Sequence, residues 1–283
     1  MEFLITVGLD TLNFTLGLLL VTLGLVVIFG LMNVINMAHG EFFLIGAYCV
    51  IGTQAWGMPF WVSLLVAPAL LAIIGLIVEE LVIRHVYHRF IDTILATWGL
   101  SIALKQCVIV LFGPTSQSVS NPLPDPTTVF GVVYPSYRLL IMAISLTLAI
   151  AIFLLVYRTT LGLAVRAVIA NRAMAGSLGI NTRLMDRATF AFGAALAGFA
   201  GAVMAPVMSV DPQMGVGFLI PAFLSILVGG TSTLLGAVLG TGIIGTATTT
   251  VAAVWTQVIA QVVVFSLAIV IIRLFPEGLT GRR

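Results

Sequence analysis

Charged side chains are scarce in this sequence. Asp, Glu, Lys and Arg make up 8% of the 283 residues, whereas 60% are hydrophobic. A soluble domain carries roughly a quarter charged residues, so this chain cannot cover itself with a water-exposed surface. Residues 212–272 contain no charged side chain at all. That length allows about three membrane crossings, so the composition excludes an ordinary soluble protein.

Further absences exclude other classes of protein. The first fifteen residues contain no Lys or Arg, so a basic signal-peptide region is missing and we expect this segment to be mature sequence. Two cysteines, Cys49 and Cys107, are too few to indicate a disulfide framework or a Cys-based zinc site. No HExxH, GxSxG or spaced carboxylate pair occurs, so we expect no catalytic residues and no metal site. The phosphate-binding pattern GxxxxGK[ST] is also missing, so any ATP is expected on another chain.

Apolar runs predict an all-α polytopic membrane protein with about eight to ten transmembrane or half-spanning helices. No connection is long enough for a separate soluble core, so we expect one transmembrane domain over residues 1–283. The candidate spans lie at 12–31, 42–56, 59–78, 93–112, 139–157, 188–208, 214–229, 234–253 and 255–274.

The basic residues predict the orientation. Ten of the twelve lie in the connections 79–92 and 158–187 and in the C-terminal tail; only Lys105 and Arg138 lie elsewhere. The positive-inside rule places these regions and the C-terminus in the cytoplasm. Residues 113–137 then form an external loop, rich in turn-forming residues.

A polar interruption follows the first apolar run, in "IFGLMNVINMAHGEFFLIGAY" (28–48). Asn36 is a suitable helix N-cap, Gly40 permits a close turn, and Glu41 suits the first turn of a new helix. Asn33 and Asn36 would satisfy backbone groups freed by the break. The alternative is that His39 and Glu41 contact a solute or form a gate, because polar groups inside a membrane usually face a cavity.

A weaker, similar interruption occurs near the C-terminal end of the chain, in "ILVGGTSTLLGAVLG" (226–240), and contains Gly229, Gly230 and Thr231. Interrupted helices in two halves of a chain are typical of inverted repeats with the solute path between them.

Glycine-rich runs such as 193–205 predict close helix packing. In "DTILATWGLSIALKQ" (92–106), Thr97, Trp98 and Ser101 either pack in the bundle or face this path.

The connection 158–187 contains a helix-forming stretch with apolar residues between Arg166, Asn171 and Arg172, closed by Gly179. Such a partly apolar, partly basic helix is typical of a lipid anchor lying on the membrane surface. It is equally typical of a helix that inserts into a partner's groove.

Four segments resemble the permease subunits of ATP-binding-cassette importers of the branched-chain amino acid type, the LivH/LivM family with its urea and short-chain amide branch. They are "GLMNVINMAHGEFFLIGAY", "GLAVRAVIANRAMAGSLGINT", "ILVGGTSTLLGAVLGTGIIG" and "LFPEGLTGRR". They occur in order along nearly the whole chain, and the LivH-like half is the better match. The stretch around Trp98 resembles the urea and amide branch.

The resemblance implies that residues 162–181 couple the permease to an ATPase. The residues at the motif positions, with the neighbouring Arg172, are Arg166, Asn171, Arg172, Ala175, Gly179 and Asn181. It also implies a second permease, LivM-like or identical, two cytoplasmic ATPases that hold ATP and Mg, an external solute-binding protein and a bacterial inner membrane, with no nucleic acid. The expected solutes are branched-chain amino acids or urea and amides. The rival interpretation is a passive channel for urea or a similar neutral solute.

Overall fold

Helices make up most of this protein. The computed structural model describes residues 1–86, 89–231 and 233–281. In chain order the helices are α1 (Glu2–Met32), α2 (His39–Ala55), α3 (Phe60–Val78), α4 (Arg84–Val86), α5 (Phe90–Phe112), α6 (Ser136–Arg158), α7 (Thr160–Ala170), α8 (Arg172–Ser177), α9 (Thr182–Met204), α10 (Met214–Gly229), α11 (Leu234–Val254) and α12 (Gln257–Leu274). An antiparallel hairpin, β1 (Pro126–Val129) and β2 (Val132–Pro135), precedes α6.

The nine predicted apolar segments all form helices. Within the described residues, seven helical segments are long and apolar enough to cross a membrane, and α10 is a shorter apolar helix of 16 residues. The fold is therefore the predicted all-α polytopic membrane protein.

Three boundaries differ from the prediction. Helix α1 begins at Glu2 instead of residue 12, because an acidic first turn suits the helix dipole and no proline interrupts the segment up to Met32. The connection 79–92 is shorter than predicted, since α3 runs into a π-helical turn, Glu79–Ile83, and then α4. The loop 113–137 contains the hairpin and the first residues of α6.

Helices α1 and α9 form the centre of the bundle. In the most apolar stretch of each helix, 67% of the residues are buried in α1 and 72% in α9, compared with 11% in α5 and 17% in α12. The predicted close packing of glycine-rich runs is confirmed. A Cβ atom on Gly46 of α2 would overlap the backbone of Gly198 in α9, and one on Gly198 would overlap the side chain of Leu71 in α3. Small residues thus let α2 and α3 approach α9 at backbone distance.

The bundle has two chemically different ends. At the loop end, which carries the hairpin, the Gln117 and Val210 backbones pair, with the Gln117 nitrogen 2.8 Å from the Val210 oxygen. At the basic end, which carries α7 and α8, the tail folds back: the backbone nitrogens of Leu279 and Thr280 lie 3.0 and 3.1 Å from the carbonyl oxygens of Val228 and Gly229.

Candidate functional site

The first polar interruption breaks the chain between α1 and α2. Asn33 ends α1 in the left-handed conformation, with φ of 52°, and its side chain is exposed. Asn36 is fully buried, and its side-chain oxygen accepts a hydrogen bond from the Ala38 backbone at 3.0 Å. The N-cap of α2 is Ala38. The prediction that Asn36 caps the helix is therefore wrong. Its side-chain oxygen instead bonds the backbone nitrogen two residues later, within the turn that precedes α2.

This break returns the chain to the middle of the bundle. The His39 Nε2 atom lies 3.1 Å from the carbonyl oxygen of Val21, which is near the centre of α1. Residues 33–38 therefore run back along α1, and α2 begins about halfway along it. The first turn of α2 thus lies inside the bundle, where each polar group needs an internal partner.

Two residues of α5 hold the break. The Thr97 hydroxyl oxygen accepts a hydrogen bond from the Met37 backbone at 3.1 Å. The Ser101 hydroxyl donates one to Glu41 Oε1 at 2.9 Å. Because residues four apart share a helix face, Thr97 and Ser101 both point inward. Trp98 points away and is 58% exposed, so the prediction that it packs within the bundle is wrong, and it does not join the other two residues at the break.

Three buried polar atoms at the break have no hydrogen-bond partner among the residues that the structure describes. They are Asn36 Nδ2, His39 Nδ1 and Glu41 Oε2. Glu41 is 2% exposed and interacts electrostatically with Lys105, one turn beyond Ser101 on α5. Unpartnered polar atoms are uncommon in protein interiors. This cluster therefore has free hydrogen-bonding capacity in the middle of the bundle.

The N-terminus of α10 meets the N-terminus of α2 at the same place. A Cβ atom on Gly40 would lie 2.5 Å from the Gly215 carbonyl oxygen, and one on Gly215 would lie 3.3 Å from Glu41 Oε2. Both helix N-termini carry partial positive charge, so a carboxylate between them is favourable. Gly40 was expected to form a turn; instead it is helical and permits this crossing.

The second interruption lies elsewhere. Gly230 has φ of 110° and contacts Gly278, and the Thr280 hydroxyl donates a hydrogen bond to the Gly229 carbonyl oxygen at 2.8 Å. The backbone of Thr231 lies near Gly30, at the basic end. Thus Gly229 and Gly230 pack against the tail, and Thr231 lies beside α1. The segment that meets the first break is instead the start of α10. This contact was not predicted, although the glycines of "MGVG" at 214–217 could have indicated a close approach of two helices.

The connection 158–187 forms two short helices instead of the single predicted element. The Asn171 side chain accepts a hydrogen bond from the Met174 backbone at 2.9 Å, which ends α7 and caps α8. Gly179, with φ of 88°, ends α8 as predicted. The Asn181 side chain caps α9 through the Leu184 backbone at 3.0 Å. Asn171, Gly179 and Asn181 therefore determine the shape of the segment.

Two of the other predicted coupling residues, Arg166 and Ala175, pack against this chain itself. The Arg166 guanidinium lies 5.2 Å from the centre of the Tyr157 ring, and Ala175 is 2% exposed. The large apolar side chains exposed at α8 are instead Met174, within the helix, and Leu178, its C-cap, which are 62% and 77% exposed. We call these two residues the α8 patch. Sequence reasoning missed them because an apolar residue in a short amphipathic helix is more often buried than exposed.

Ion pairs connect α8 with the bundle. Arg172 of α8 pairs with Asp186 of α9, and Arg187 of α9 pairs with Glu79 and Glu80 at the end of α3. Glu80 also pairs with Arg84 and Arg183. We call this set the basic-end network. It was missed because the sequence does not show which acidic residues face which arginines; "EE" at 79–80 after an apolar run was the only signal.

Metal ligands are not grouped in the described part of the chain: across residues 1–86, 89–231 and 233–281, no three His, Cys, Asp or Glu side chains are placed to share an ion. The site thus consists of a polar break, a crossing of two short helices and a basic end with an exposed apolar patch.

Comparison with known proteins identifies the family. The pattern of the family described as branched-chain amino acid transport system, permease component, matches residues 8–273. The chain is 28% identical to the branched-chain amino acid permease BraD of Pseudomonas aeruginosa, over 93% of this chain and 91% of BraD. It is 27% identical to LivH of Escherichia coli K12 over the same shares.

A more partial similarity connects the chain with the other permease type. It is 26% identical to LivM of Escherichia coli K12, over 69% of this chain and 52% of LivM. No solved structure gives a significant match. The family match over residues 8–273 shows that this chain belongs to the branched-chain amino acid transport permease family, and its similarity to BraD and LivH shows that it is LivH-like.

Proposed function

We propose that this chain is the LivH-like membrane subunit of an ATP-driven importer for branched-chain amino acids. The names of BraD and LivH support this solute over urea and amides. The observation that carries the proposal is the α8 patch: two apolar side chains are exposed on a short helix that ion pairs tie to the bundle. Exposed apolar residues at a polar rim favour docking of a partner.

The partners follow from this assignment. The basic end faces the cytoplasm of the bacterial inner membrane, and two ATPases, which hold ATP and Mg, dock at α7 and α8. A second permease, LivM-like or a second copy of this chain, completes the pathway, and a solute-binding protein delivers solute at the loop end. Lipid surrounds the bundle, the chain carries no cofactor, and no nucleic acid takes part.

The coupling mechanism uses the basic-end network. A displacement of α8 moves Arg172 and hence Asp186 on α9, and Arg187 transmits it to Glu79 and Glu80 on α3. Because α9 contacts α2 at backbone distance through Gly198 and Gly46, the motion reaches the first turn of α2. The nucleotide state of the ATPases must favour one arrangement of this crossing over another for transport to be driven.

Co-purification with the cognate ATPases tests the proposal. The double variant Met174→Asp/Leu178→Asp places two charges on the α8 patch, so we expect ATPase association to fall by about tenfold or more. The matched control is Phe130→Asp, at an 84% exposed residue in the hairpin of the loop end, where association should be unchanged. Unaltered association in the double variant contradicts the proposal. Free equilibration of urea in vesicles containing this chain alone supports the passive-channel rival.

A further inference from the structure

A cavity at the loop end combines opposite charges with an apolar wall. It has a volume of about 680 Å³ and lies among α1, α10, α11 and α12, with Arg138 of α6 at its rim. Asp10 and Asp211 also lie at the rim, and Phe14, Phe218 and Leu224 are among the apolar residues below. Cavities that enclose small ligands have volumes of about 300–1,000 Å³. We call it the outer cavity.

The charges at its rim are fixed in position and accessible. The Asp10 carboxylate accepts hydrogen bonds from Arg138 at 2.5 Å and from the Tyr134 hydroxyl at 3.0 Å. The Asn13 amide donates to the Arg138 backbone oxygen at 2.9 Å, which holds the start of α6 against α1. The side chains of Asp10 and Arg138 remain 42% and 38% exposed, so a ligand can reach both.

Tyr134 is a hydrogen-bond donor to Asp10 at the rim of the outer cavity. The Tyr134 ring is 2% exposed, and burial raises the pKa of its hydroxyl to about 12. The hydroxyl therefore stays protonated throughout the physiological range and donates to Asp10. With one hydrogen bond supplied by Tyr134, Asp10 can exchange its bond with Arg138 for a bond to a ligand without losing every partner.

We infer that the outer cavity binds a zwitterionic amino acid that has an aliphatic side chain. The ammonium group pairs with Asp10 and the carboxylate with Arg138, because adjacent opposite charges match the two ends of a zwitterion and Arg binds carboxylates bidentately. The aliphatic side chain packs against Phe14, Phe218 and Leu224. Urea, which carries no charge, gains neither ion pair. This inference rests on the proposed function and assigns the first solute site on this chain.

Binding of labelled leucine to the full chain in lipid nanodiscs tests the site. Leu224→Trp fills the cavity, so we expect leucine binding about tenfold weaker or worse. Leu227→Trp is the matched control, because Leu227 lies on the same helix, is 44% exposed and is not part of the cavity wall. Equal binding by both variants and the wild-type chain overturns the inference.

Competition on the wild-type chain provides a test that needs no variant. Isocaproate lacks the ammonium group of leucine, isoamylamine lacks the carboxylate, and urea lacks both charges. We expect each to compete at least about tenfold less well than leucine, because each loses a charge-assisted hydrogen bond. In Asp10→Asn, leucine should lose its advantage over isocaproate; in Arg138→Gln, its advantage over isoamylamine. Isocaproate competing as well as leucine on the wild-type chain overturns the inference.

ATPase association separates this inference from the proposed function. If the wild-type chain retains the ATPases while leucine binding is insensitive to Leu224→Trp, the outer cavity is not a solute site and the importer assignment stands. If the wild-type chain does not retain the ATPases, the proposed function fails, whether or not leucine binds.

Discussion

Loss of the ion pair between Arg172 and Asp186 should uncouple solute transport from ATP hydrolysis. Asp186 is almost fully buried, with 3% side-chain exposure, whereas Arg172 is 36% exposed. Breaking a fully buried pair costs about 3–5 kcal/mol, and an exposed pair contributes about 0.2–1 kcal/mol. For a pair with one buried and one accessible partner, we expect a coupling energy of about 1–3 kcal/mol, between these two limits.

A double-mutant cycle measures this energy. The variants are Arg172→Gln, Asp186→Asn and the double variant, and the free energy of unfolding is measured for each in detergent. The control is Arg158→Gln, an exposed arginine at the same end. A coupling energy of about 1–3 kcal/mol corresponds to a factor of about 5–150 in an equilibrium constant. Solute-stimulated ATP hydrolysis should fall by a similar factor, while ATPase co-purification persists because the α8 patch is intact.

Two results would refute this reasoning. The first is a coupling energy below about 0.3 kcal/mol, because the effects of mutations at independent sites add only to within about that amount. The second is normal solute-stimulated hydrolysis in a folded Asp186→Asn variant. Either result would mean that α8 communicates with α9 through packing alone.

Two other predictions concern the packing of α2 against α5 and α9. Ser101→Ala removes the hydrogen bond to buried Glu41, so the free energy of unfolding should fall by about 1–3 kcal/mol; Ser266→Ala, at an exposed serine of α12, should change it by less than about 0.5 kcal/mol. Gly46→Leu should abolish folded protein on size-exclusion chromatography, because its side chain would overlap the backbone of α9. Gly52→Leu on the same helix should elute normally, since a Cβ there meets only an aromatic ring at 3.8 Å. Normal elution of the Gly46 variant would count against the close packing of α2 on α9, and an unchanged stability of the Ser101 variant would count against the hydrogen bond between α5 and α2.

Composition and apolar run length were enough to predict the class of fold. A chain with 8% charged residues can bury its backbone in lipid only as helices, so all nine apolar segments were found as helices. The break at residues 33–41 could also be predicted from the sequence. Asn, His and Glu within an apolar region are energetically unfavourable unless the helix is interrupted there. Gly179 was a local signal of the same kind, since its left-handed backbone ends α8 as predicted. The cap at Asn171 was missed, because the segment was predicted as a single helix.

Tertiary structure alone decided which of these features meet. Helical periodicity does not reveal which face of α5 is buried, so Thr97 and Ser101 faced the break while Trp98 faced outward. The contact of Gly40 with Gly215 joins segments 175 residues apart, and a local sequence pattern carries no information about such a pairing. Coulomb attraction acts between whichever charges the packing brings together. The pairing of Asp10 with Arg138 and of Arg172 with Asp186 therefore became visible only once the helices were packed.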